Sequence, residues 1–89
     1  MKVQLQYEVT DKTERASFWK EIDMPSAPTR QIVFDDNDFT FEPNRSIIYS
    51  IDSQTYFVRT VTDISGTADT MDGFKKMMVK LGWKMSWVG

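Results

Sequence analysis

The constraint that most narrows the possible folds lies in residues 2–23. There the runs VQLQYEVT and ASFWKEIDM place apolar side chains at every second position around the polar turn TDKTER. Successive side chains of a strand point to opposite faces, so Val3, Leu5, Tyr7 and Val9 share one side and Gln4, Gln6 and Glu8 the other. Pairing Val9 with Ala16 sets Tyr7 opposite Phe18 and Val3 opposite Ile22, all on one face. A slip of one residue would turn the whole set to solvent, so this register is strongly specified. It contains one mismatch, Leu5 opposite Lys20, and it leaves Trp19 on the opposite face among Gln6, Glu8, Ser17 and Glu21.

Two more strand pairs are predicted. The segment PSAP breaks the first hairpin, because proline cannot donate to a ladder. RQIVFDDNDFTFE then reads as a tight hairpin: with Asp36-Asn37 at the turn, Phe34 faces Phe39 and Ile32 faces Phe41. After EPNR, the runs SIIYSI and TYFVRTVTDI pair around DSQ. A two-residue turn there sets Ile51 opposite Tyr56 and Tyr49 opposite Val58. A three-residue turn sets Tyr49 opposite Phe57 and Ile48 opposite Val58. Both give sound aromatic–aliphatic pairs, and the sequence does not choose between them.

One helix is predicted over residues 67–81, capped by Thr67 or Asp69, with Asp69 and Asp72 in the first turn where the helix dipole favours anions. Met71, Phe74, Met78 and Leu81 form its apolar stripe, with Lys76, Lys80 and Lys84 opposite. Gly82 is a natural stop, which makes Trp83 the residue that folds back onto Met78.

Residues 1–89 thus read as one domain of class α+β, rich in β: strand pairs over 2–24, 30–42 and 46–63, a helix over 67–81 and a tail over 83–89. The expected architecture is a small barrel-like or strongly bent antiparallel sheet of about six short strands, with the helix plugging an end or covering a face. The alternative is an open antiparallel sheet with the helix packed across it.

Composition excludes much chemistry. The chain has no cysteine and no histidine, so thiolate nucleophiles, the commonest general base and the usual zinc ligands are missing. An enzyme is therefore not expected, nor a cofactor or metal. Asp36, Asp38 and Glu42 offer hard oxygens, but their spacing does not fit a calcium loop. The first ten residues alternate and do not form an apolar leader, and no apolar run is long enough to span a bilayer, so a cytoplasmic protein without a membrane partner is expected.

Charge is unevenly placed. Before Gly73, seven Lys and Arg face thirteen Asp and Glu; from Gly73 on there are four Lys and no acid. The helix dipole accounts for leading aspartates and trailing lysines. The acidic balance, with pI about 4.9, argues against nucleic acid as the partner.

These observations point to a non-enzymatic interaction domain that binds another protein, with self-association a further option. Its size suits an accessory factor or inhibitor of the kind phages and other mobile elements encode. The candidate partner contacts are Trp19, on the polar face of the first hairpin; Trp87, beyond the helix stop; the acidic turn residues Asp36 and Asp38, suited to a basic site; and Lys84. Trp83, Met71, Met77, Met78 and Met85 are assigned to the core. Two alternatives are single-stranded nucleic-acid binding, with Trp19, Tyr49, Tyr56 and Phe57 as stacking platforms on a barrel face, and small-ligand binding at an oligomer interface.

Overall fold

The computed structural model describes residues 1–37 and 39–88, with side chains described through Ser86. The elements run β1 (Lys2–Thr10), β2 (Arg15–Asp23), β3 (Phe34–Asp36), β4 (Phe39–Phe41), β5 (Ile47–Ser50), β6 (Thr55–Asp63), α1 (Met71–Lys80) and β7 (Lys84–Val88). Five strands form one sheet in the order β5-β6-β1-β2-β7, and β3 and β4 form a separate two-stranded hairpin.

The fold is β-rich α+β with one helix, and the five-stranded sheet is open: of the two expected architectures, the open sheet with a helix across it is the one adopted. The sheet is not wholly antiparallel. β6 returns alongside β1 in parallel, with Leu5 opposite Val58 and Tyr7 opposite Thr60. The long excursion through β3, β4 and β5 supplies the crossover that parallel neighbours need.

β1 and β2 pair in the register dictated by their alternation, including Val9–Ala16, Tyr7–Phe18, Val3–Ile22 and the mismatch Leu5–Lys20. Val3, Val9, Ala16 and Phe18 are fully buried. The other two hairpins slip. β3 and β4 pair Phe34 with Phe41 and Asp36 with Phe39, two residues away from the expected register. The turn begins at Asn37, whose φ of 57° is the left-handed conformation that asparagine tolerates. β5 and β6 pair Tyr49 with Tyr56 and Ile48 with Phe57 around a four-residue turn, Ile51–Gln54, so neither shorter turn is used. Gln54 takes up the reversal with φ 52°. The β3–β4 register and the two-residue reading of β5–β6 differ from the observed pairing by a slip of two, which preserves every face, so burial alone does not resist it; the three-residue reading differs by one residue.

The helix starts later than expected. Its N-cap is Thr70, whose hydroxyl accepts from the Gly73 N–H at 3.1 Å. Thr67 instead bonds back to the Ile64 carbonyl at 2.8 Å and holds the preceding turn. The stop is as expected: Gly82 has φ 89° and donates to Val79, and Trp83 donates from its backbone to Met78 at 2.9 Å. Those two bonds satisfy the last carbonyls of the helix and fold Trp83 back under it. The tail continues as β7, antiparallel to β2 at the sheet edge, with a register break between Ser17 and Phe18.

The helix and the β3–β4 hairpin pack side by side on the Tyr7 face of the sheet. Between them lies an aromatic cluster in which Tyr7 meets Phe39 at 5.1 Å, Phe41 at 5.3 Å and Phe74 at 6.1 Å, while Trp83 meets Phe41 at 5.7 Å. Met71, Met78 and Trp83 are buried there and Phe74 and Leu81 are half-buried, as the helical stripe predicts.

Lys20 points into this layer, and three groups explain why it is tolerated. Its ammonium donates to the Asp36 carboxylate at 2.7 Å and to the Leu81 carbonyl at the helix end at 2.8 Å. The Trp83 indole N–H donates to the same Asp36 oxygen at 2.9 Å. One junction therefore ties β2, the hairpin and the helix terminus together. A cation at a helix C-terminus also meets the negative end of the dipole.

Candidate functional site

The helix and hairpin cover one side of the five-stranded sheet and leave the other to the sheet's own side chains. Alternation puts Gln4, Gln6 and Glu8 of β1 there, with Ser17, Trp19 and Glu21 of β2. The parallel pairing adds Phe57, Arg59 and Val61 of β6, opposite Gln4, Gln6 and Glu8. Ile48 of β5 joins at the edge, opposite Phe57.

Trp19 is half-buried in the middle of β2. Lys84 lies opposite it on β7 and holds its ammonium 4.9 Å from the ring centroid. That is cation–π distance, so the lysine presents its charge and the ring its face from one spot. Two of the expected contacts, Trp19 and Lys84, are thus brought together.

The other expected contacts fall elsewhere. Asp36 is on the opposite side of the sheet, on the inward face of the hairpin, because the shifted turn moves it from the loop into β3. It is engaged by Lys20 and Trp83, and its carboxyl is held below the usual range, first by the Lys20 hydrogen bond and then by the indole of Trp83, against partial burial. Asp38 lies outside the described residues. The backbone of Trp87 sits in β7 opposite Ser17, and its side chain lies outside the described ones. The four supposed stacking aromatics are divided. Trp19 and Phe57 are on the open face, while Tyr49 and Tyr56 pack on each other at 4.7 Å on the helix side.

Beside Trp19 is a feature that sequence reading missed. The Glu8 carboxylate, whose side chain is only 12% exposed, receives Arg59 at 3.1 Å and Arg15 at 3.5 Å from either side. These three residues, with Gln6 and Ser17, line a shallow depression of about 300 Å³. Two guanidiniums on one carboxylate leave the centre of the face net positive, and Lys84 adds to it, on a chain of net charge −2. Arg15 was within reach of sequence reasoning, since the β1–β2 register sets it diagonal to Glu8. Arg59 was not, because no local pattern reports that β6 lies against β1.

The shifted acids elsewhere have local explanations. Asp11 is lowered by the backbone N–H groups of Thr13 and Glu14, and Asp63 by Ser65; both are turn contacts. Tyr7 is raised chiefly by burial. Among the described residues no group of three acids is placed to hold a metal ion, and no helix is long and apolar enough to cross a membrane. The chain matches no known family, and no match was found to a curated protein or a solved structure.

Proposed function

We propose that this protein is a non-enzymatic binding domain that engages another protein through the open face of its five-stranded sheet. The observation that carries the reading is the composition of that face. An aromatic anchor, Trp19, sits with Lys84 above it, next to a depression walled by Arg15 and Arg59. Tryptophan and arginine are the residues most enriched where interfaces concentrate their binding energy. The positive centre suits a partner that offers a carboxylate beside an apolar group, and the partly neutralised arginines would exchange or share Glu8 with it. The acidic turn has no part in this reading, because Asp36 is spent inside the molecule.

A second reading rests on the same face. Trp19 and Phe57 lie two strand spacings and two residues apart, roughly 12 Å, with three cations nearby, as a single-stranded nucleic acid could use. The net acidity of the chain and the Glu8 clamp favour the protein partner.

The test captures partners from a lysate on wild-type protein and on Trp19→Ala, identifies them by mass spectrometry, and titrates the purified candidate. Trp19→Ala removes a half-buried ring and should lower the melting temperature, so at a temperature where circular dichroism shows the variant folded it should weaken the candidate by about 2 kcal/mol, roughly thirtyfold. A partner that binds both proteins equally overturns the assignment of the face. Submicromolar, salt-sensitive binding of an oligonucleotide that Trp19→Ala abolishes would establish the second reading instead.

A further inference from the structure

We infer that the protein binds a small, uncharged phenolic molecule in a cavity on the helix side of the sheet, where β2, the β3–β4 hairpin and the end of the helix meet. The cavity measures about 140 Å³ and is partly enclosed. Its apolar wall is made by Leu5, Ile22, Phe34, Phe41 and Trp83, and its polar wall by Lys20 and Asp36, with Asp35 beside them. Leu5, Phe34, Phe41 and Trp83 are buried and Ile22 is half-buried, so the space belongs to the covered layer and not to a surface patch. It is separate from the Trp19 face, and none of its walls enters the open-face reading.

Size and wall chemistry set the first two limits on the occupant. An apolar cavity of about 150 Å³ takes up benzene, so this one holds a single six-membered ring and little more. Phe34 and Phe41 stack at 5.2 Å, and Trp83 meets Phe41 edge-on at 5.7 Å. A flat aromatic guest fits walls of this kind, because rings pack favourably face to edge and in offset stacks.

The polar wall sets the third limit. An ammonium has three N–H donors, and Lys20 uses two of them, on Asp36 and on the Leu81 carbonyl. Asp36 receives both Lys20 and the Trp83 indole on one oxygen, Oδ2. One N–H of Lys20 and the Oδ1 of Asp36 are therefore left without a hydrogen-bond partner among the described residues. A donor beside an acceptor matches a hydroxyl, which accepts from the first and donates to the second. Charge narrows the choice further. Lys20 and Asp36 balance each other and Asp35 adds a negative charge, so a carboxylate on the guest is disfavoured, and an ammonium would meet Lys20. A single aromatic ring with a hydroxyl and no charge satisfies all three limits. Its binding would brace the junction that already joins β2, the hairpin and the helix end.

The test titrates phenol into the full chain labelled with nitrogen-15 and follows the indole N–H resonances. The Trp83 indole donates to Asp36 at the cavity wall, so its signal should move and saturate with a Kd below about 1 mM. The Trp19 indole, on the other face of the sheet, should stay in place. Toluene keeps the ring and lacks the hydroxyl, and should bind at least about fivefold more weakly. Benzoate should leave the Trp83 signal unmoved. Ile22→Phe fills the cavity and should weaken phenol at least about tenfold, with circular dichroism confirming the fold. The absence of a saturable Trp83 shift overturns the inference. So does toluene or benzoate binding as tightly as phenol, or full affinity in a folded Ile22→Phe. Should that variant not fold, the three ligands on the wild-type protein decide the matter alone. N-acetyltyrosinamide carries the same ring on a peptide backbone. Binding as tight as phenol's would make the occupant a partner's tyrosine and overturn the assignment to a free small molecule.

Discussion

Lys20→Met is the most informative single change, because it removes the ammonium and keeps the apolar stem. In the folded protein that ammonium makes two bonds, 2.7 Å to Asp36 and 2.8 Å to the Leu81 carbonyl. Two limits bracket the effect. An exposed ion pair contributes about 0–1 kcal/mol; orphaning one member of a fully buried pair costs about 3–5 kcal/mol. The side chains of Lys20 and Asp36 are 28% and 22% exposed, so the pair falls between, and water screens part of the loss. Asp36 also keeps the Trp83 indole. We expect about 2 kcal/mol from the pair, and about 0.5 kcal/mol more from the helix terminus that loses its cation. Urea denaturation at neutral pH should show this as a lower midpoint at unchanged slope, because the surface exposed on unfolding does not change. For a domain of this size the melting temperature should drop by about 10–20 °C. A double-mutant cycle with Asp36→Asn should give a coupling of about 1–2 kcal/mol. A loss under about 0.5 kcal/mol, or strict additivity in the cycle, would refute the junction as a stabilising contact.

Acid should act on the same junction. A carboxyl whose folded pKa is lowered stabilises the fold fully above its unfolded value and loses that contribution as pH falls through the folded one. Asp36 starts from an ordinary value of 3.8, so its share of the stability should fade below about pH 4. Asp11 and Asp63 act with the same sign through their turn hydrogen bonds. Asp36→Asn should therefore flatten the acid limb of stability against pH without abolishing it, and an unchanged slope would show that Lys20 does not hold the carboxylate. Gly82→Ala should destabilise by about 1–2 kcal/mol through left-handed strain. At φ 89° its nearest heavy-atom neighbour would be Lys20 Nζ at 4.0 Å, so no clash contributes, and an unchanged thermal melt would refute the strained-stop reading.

What the sequence determined by itself is local and periodic. The alternation of residues 2–23 set the faces and the register of β1–β2, because any odd slip would have exposed Val3, Tyr7, Val9 and Phe18 together. The helical stripe and Gly82 fixed the burial of Met71, Met78 and Trp83 and the form of the helix end. Even the Leu5–Lys20 mismatch was legible, although its resolution was not. Turn lengths were weaker information. A slip of two keeps every face, so alternation could not separate the β3–β4 register, or the two-residue reading of β5–β6, from the pairing adopted, in which Asn37 and Gln54 take left-handed backbone. That shift placed Asp36 inside, a result no count of acidic residues could foresee.

Tertiary structure alone decided which strands are neighbours. Nothing in residues 55–63 announces a parallel partner, because alternation reports a face and not an adjacency. The parallel pairing of β6 with β1 opened the sheet, put Phe57 on the same face as Trp19, and brought Arg59 to the Glu8 that Arg15 already approached. Faces are written every second residue and are read within one strand. The order of strands is set by loop closure and by which apolar faces must be covered together, and those are properties of the whole chain.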